Sequence, residues 1–95
     1  MITIKYFDWQ MFEALSKTLN FKKYKREDIQ ESILDDSTRV KRISYKKFIV
    51  LGKSHSRKHF FSVLHINKKF TVSPIFVRLM NKKEKDHFDE YQYLD

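Results

Sequence analysis

Residues 46–66 read KKFIVLGKSHSRKHFFSVLHI. Two apolar runs, Phe48–Leu51 and Phe60–Leu64, stand either side of a polar stretch, Ser54–Lys58. Each run is too short for a helix, and β-branched and aromatic residues dominate both, so both read as strands. The connection is too short for a crossover, which makes the pair antiparallel. The only glycine, Gly52, closes the first run.

The same reading extends in both directions. Upstream, STRVKRISY (Ser37–Tyr45) is a polar strand with Val40 and Ile43 among basic residues. Downstream, Asn67–Lys69 make a turn and FTVSPIFV (Phe70–Val77) is a fourth strand. Pro74 cannot donate a ladder hydrogen bond, so it implies an edge, a bulge or a break. The N-terminal part begins with a short strand at Ile2–Phe7. Asp8 is a helix cap, and Met11, Phe12, Leu15 and Leu19 recur at helical spacing over Trp9–Leu19. A basic linker, NFKKYKR, leads to a short helix, EDIQESIL, with Ile29 and Ile33 on one face and acids early. Asp35–Ser37 form the turn after it. At the C-terminal end, Asn81 and Glu84 have capping-box spacing, and Phe88, Tyr91 and Leu94 give the following helix an apolar face. The expectation is one α+β domain over residues 1–95, with two N-terminal helices, an antiparallel β-meander and a C-terminal helix.

Composition narrows the function. The chain has 95 residues, 41% of them hydrophobic and 16% aromatic, enough for one small core. It has no cysteine, which excludes disulfides and cysteine-based zinc sites and fits a cytoplasmic setting. No apolar leader and no stretch of membrane-spanning length is visible, so no membrane partner is expected. The single glycine excludes a glycine-rich phosphate cradle. The four histidines show no metal-ligand spacing, and neither a metal nor a cofactor is expected.

The net charge is +8, and its distribution is uneven. No acid lies between Asp36 and Glu84, an interval that holds thirteen Lys and Arg. All twelve acids fall outside it. Such segregation points to a polyanionic partner.

Within this pattern, the stretch VRLMNKKEKDHFDEY (Val77–Tyr91) stands out, with an arginine at the seam between strand and helix. The sequence Phe76-Val77-Arg78-Leu79-Met80-Asn81-Lys82-Lys83-Glu84, followed by Phe88 and Tyr91, resembles the C-terminal motif of BrnT-family toxins. These belong to bacterial type II toxin–antitoxin systems and to the RelE-like fold group. Phe7-Asp8-Trp9 is similar to the family's opening Phe-Glu-Trp. Asn20-Phe21-Lys22-Lys23-Tyr24 falls where the family has Asn-x-x-Lys-His, with Tyr24 in place of the histidine. YKKFIVLGKS is similar to its Glu-Arg-Phe-x-x-x-Gly strand, with Gly52 in place. Phe76 and Val77 stand where Ser and Ala are usual.

The resemblance implies a metal-independent endoribonuclease that arrests growth. It also implies a protein antitoxin as partner, with operator DNA bound only through that antitoxin. Cleavage by a 2′-hydroxyl needs a group to activate it and charge stabilisation at the phosphorane, and arginine suits the second task. Arg78 is the first candidate, either as a phosphate contact, as an ion-pair partner of Glu84, or as both at once. Lys23 is a candidate for phosphate binding or proton transfer, or one more solvated lysine. Tyr24 is an acid–base or base-stacking candidate, or a packing residue. Lys22, Lys82, Lys83, Arg57, Lys58 and His59 are candidate RNA contacts. His55 and His59 flank the turn around Arg57-Lys58, where each is either a general base or an exposed turn residue. Phe60, Phe61 and Tyr45 are available for stacking, though core packing explains them too. The alternative is a non-enzymatic basic nucleic-acid-binding module, which needs only the cationic interval.

Overall fold

The computed structural model describes residues 6–18, 24–67 and 71–94, the last five of these as backbone only. Its elements are β1 (Tyr6–Phe7), α1 (Gln10–Thr18), α2 (Arg26–Leu34), β2 (Arg39–Ser44), β3 (Lys47–Lys53), β4 (His59–Ile66), β5 (Thr71–Leu79) and α3 (Lys82–Leu94). The five strands form one sheet in the order β1-β5-β4-β3-β2. Strands β2 to β5 are an antiparallel meander. The short β1 pairs parallel with β5, through Tyr6–Thr71 and Phe7–Val72. The fold is the α+β arrangement expected from the sequence. Within the expected strand 2–7, the described part is β1.

Alternation along the strands gives the sheet two unlike faces. One carries Val50, Phe60, Leu64, Val72 and Val77, all buried beneath Phe12 of α1 and Ile29 and Ile33 of α2. Helix α1 starts where the Asp8 carboxylate accepts from the Gln10 N–H at 3.0 Å. Its inward line is Phe12 and Ser16, four residues apart. Met11, expected on that line, is 49% exposed, because the helix is rotated to set Phe12 on the sheet. Helix α2 comes so close to β3 that Gly52 faces the Ser32 backbone directly. The Ser32 carbonyl also accepts from the Thr38 hydroxyl at 2.5 Å, which ties the start of β2 to the helix.

Pro74 lies at a bulge. Val63 pairs with Phe76 and Leu64 with Pro74, so Ile75 is the extra residue. The β3–β4 turn is docked on α2: the His55 N–H donates to Glu31 at 3.0 Å, and Lys58 reaches Asp28 at 3.4 Å. Helix α3 lies on the other face of the sheet. Its Phe88 is fully buried and meets the His59 ring edge-on, with centroids 5.8 Å apart. No described helix is long and apolar enough to cross a membrane.

Candidate nucleic-acid interface

The α3 face of the sheet is built from register rows. Arg39, Leu51, Phe61 and Arg78 are successive cross-strand partners from β2 to β5. The next row is Lys41, Ile49, Val63 and Phe76. With strands about 4.8 Å apart, a row spans roughly 14 Å. Each row therefore runs from a cation on β2 across a half-buried apolar centre, and the first ends on a second cation, Arg78.

Arg78 is held on three sides. Its Nη1 and Nη2 donate to Oε1 and Oε2 of Glu84, both at 2.8 Å, and Nη1 also donates to the Leu79 carbonyl at 3.0 Å. The guanidinium carbon lies 4.0 Å from the centre of the Phe61 ring, a cation–π contact. Glu84 is fixed in turn by the capping box. Its carboxylate accepts from the Asn81 N–H at 2.9 Å, and its own N–H donates to the Asn81 side chain at 2.8 Å. The two readings of Arg78 thus meet in one geometry. Glu84 occupies the end of the guanidinium through one hydrogen each of Nη1 and Nη2, and among the described residues no protein atom accepts from Nε or from the second hydrogen of Nη2. Those two donors are a second fork of the kind that matches two phosphate oxygens.

The electrostatics agree with the contacts. The hydrogen bond to Glu84 raises the Arg78 pKa above its ordinary value. Hydrogen bonding from Arg78 holds the Glu84 carboxyl below the usual carboxylate range, against the opposing effect of burial. The pair is fully charged at neutral pH.

His59 opens β4 on the same face and is 15% exposed, so it is not the exposed turn residue that its neighbours suggested. Its carbonyl accepts from the Met80 N–H at 2.9 Å, which sets it opposite Met80 and makes it a diagonal neighbour of Arg78. Burial against Phe88 lowers the His59 pKa, although Asp89, 3.6 Å from Nε2, opposes this. A histidine kept neutral beside a fixed guanidinium is equipped to accept a proton.

The other candidates are dispersed. Lys82 and Lys83 are exposed at the start of α3, next to Arg78. Tyr24 lies on the opposite side of the sheet, edge-on to Phe60 at 5.1 Å, among residues packed on the core. Phe60 faces that core and Phe61 faces Arg78, so adjacent positions do different work. Arg57 is exposed in the β3–β4 turn with a left-handed φ of 66°, and Lys58 is paired with Asp28 on the α2 side. Tyr45, 75% exposed, sits in the β2–β3 turn beside Arg42 and Lys46. Lys22 and Lys23 lie outside the described residues. Sequence reading missed Arg39 and Lys41 as site residues, though strict alternation along β2 places both on the Arg78 face. Among the described residues no group of three or more His, Asp or Glu is arranged to hold a metal ion.

Comparison with protein-family models, with curated proteins and with solved structures returns no match. The likeness to BrnT toxins rests on the quoted residues alone.

Proposed function

We propose that this protein is a metal-independent endoribonuclease of the BrnT toxin type, acting on RNA at the α3 face of its sheet. The observation that carries the proposal is Arg78. Its position is fixed by Glu84, Phe61 and the Leu79 carbonyl, and its Nε and the second hydrogen of Nη2 have no acceptor among the described residues. A rigid donor pair aimed at developing negative charge is what phosphoryl chemistry rewards. In the proposed reaction neutral His59 accepts the 2′-hydroxyl proton. The 2′-oxygen bonds to phosphorus, the bond to the 5′-oxygen breaks, and that oxygen takes a proton from water. Lys82 and Lys83 hold the flanking backbone. A protein antitoxin with an acidic segment would mask the same face.

A second reading is binding without cleavage. It is favoured by the placement of Tyr24, which removes one expected acid–base group from the neighbourhood of Arg78.

The test is induction of the wild-type chain and Arg78→Ala in a bacterial host, with total RNA mapped by primer extension. Growth arrest and new RNA 5′ ends are expected from the wild type alone. In purified form the variant should cleave about 10²–10³-fold more slowly. Intact RNA with the wild type, or equal cleavage by both proteins, would overturn the enzymatic reading.

A further inference from the structure

We infer that the cleft between β2, β3 and α3 is a nucleotide subsite for single-stranded RNA, one that takes an unstacked base beyond the phosphate held at Arg78. It rests on the RNA reading above and assigns that reading a path and a strand type.

The cleft has a volume of about 500 Å³, within the usual range for small-molecule sites. Its floor is apolar, made by Ile49 and Leu51, and its walls carry Thr38 just before β2, Arg39 and Lys41 from β2, and His87 from α3. No described lining residue is acidic. An apolar floor under cationic walls suits a flat base with a phosphate beside it. Two residues of the cleft lining, Arg39 and Leu51, share a cross-strand row with Phe61 and Arg78. One strand of RNA laid along this row meets a cation, an apolar patch and the Arg78 guanidinium stacked on Phe61 in turn. The row spans roughly 14 Å, so only a few nucleotides are engaged.

The same features select against a duplex. Duplex RNA keeps its bases stacked inside and offers a protein phosphates and 2′-hydroxyls, for which an apolar floor has no use. Unstacked bases do need such a surface, and stacking or burying one is worth a measurable share of the affinity.

The test is fluorescence anisotropy with short labelled oligoribonucleotides whose 2′-O-methyl sugars block cleavage. Lys41→Ala is the variant, because Lys41 is exposed and its removal leaves the core intact. Lys17→Ala on α1 is the control, also exposed. Lys41→Ala should weaken binding about three- to tenfold at low salt and reduce the log–log salt slope by about 0.7. Lys17→Ala should change neither. In the wild type, one abasic position in a scan of the oligonucleotide should cost about tenfold in affinity.

If the wild type binds no RNA, this inference and the functional reading both fall. If Arg78→Ala weakens binding but Lys41→Ala and every abasic position do not, the functional reading stands and the subsite falls. Equal binding of a duplex, with the same loss in Lys41→Ala, overturns the subsite in favour of a phosphate-only surface. With labelled polyglutamate as a second probe, a Lys41→Ala protein that loses polyglutamate binding but keeps RNA binding overturns the subsite and assigns the cleft to an acidic protein partner instead.

Discussion

Gly52→Ala is expected to unfold much of what this domain can spare. Gly52 has an ordinary φ, so alanine there needs no unusual backbone, and by chain entropy alone the change would stabilise by about 0.4–1 kcal/mol. Space decides the sign. A Cβ on residue 52 would lie 1.9 Å from the Ser32 oxygen, 2.7 Å from its carbonyl carbon and 3.2 Å from the Thr38 hydroxyl. The first two obstacles are helix backbone and cannot rotate away. Helix α2 must shift outward by more than an ångström to reach the 3.4 Å of ordinary contact. That shift loosens Ile29 and Ile33 over Val50 and strains the Thr38–Ser32 hydrogen bond. Overpacking of this kind costs about 1–3 kcal/mol, and the hydrogen bond adds about 1 kcal/mol. For a domain of this size each kcal/mol moves the melting temperature by about 4–8 °C, so a fall on the order of 15 °C is expected. Thermal and urea unfolding followed by circular dichroism measure it. A midpoint within about 4 °C of wild type would refute the close approach of α2 to β3.

Two further expectations concern pH. Glu84 has a depressed pKa in the folded state, so its pairing with Arg78 stabilises fully above the unfolded carboxylate value of about 4.3 and is lost as pH falls through the folded value. Glu84→Gln should flatten the acid limb of the stability curve, and unchanged curves in urea titrations across that range would contradict the pairing. His59 also has a lowered pKa, and burial favours its neutral form. The unfolded chain then binds the extra proton first, so stability should fall as pH drops below about 6.5. His59→Phe keeps a ring against Phe88 and should remove that dependence, which chemical unfolding at pH 5, 6 and 7 would detect.

Most of the fold was legible because its local signals agree with one another. The apolar runs of β3 and β4, the Asp8 cap and the Asn81–Glu84 box each have one structural solution, and each adopts it. Pro74 announced an irregularity and forms one, though only pairing with β4 made it a bulge. The parallel pairing of β1 with β5 had no local signal, since a two-residue strand is chosen by the sheet edge it meets. The site was less legible. Arg78 and Glu84 stand six residues apart and are joined by a capping motif, so sequence spacing foretold their ion pair. Tyr24 and Arg78 were grouped by type, and only the sheet between them shows that they face opposite ways. Arg39 and Lys41 looked like two more charges in a polar strand, because which face a strand residue occupies depends on register with its neighbours.

The pairing of β1 with β5 also bears on how the chain folds. Tyr6 and Phe7 find their partners at Thr71 and Val72, and the Asp8 N–H donates to the Val72 carbonyl at 2.8 Å. Phe12 of α1 is buried in a core that also needs Val72 and Val77. During synthesis the first helix therefore lacks its docking partner until β5 has left the ribosome. Contacts this distant along the chain slow folding, because a long loop must close before any of its contacts form. The meander β2–β4 can pair early through local turns, whereas β1 and α1 are added only once β5 is in place.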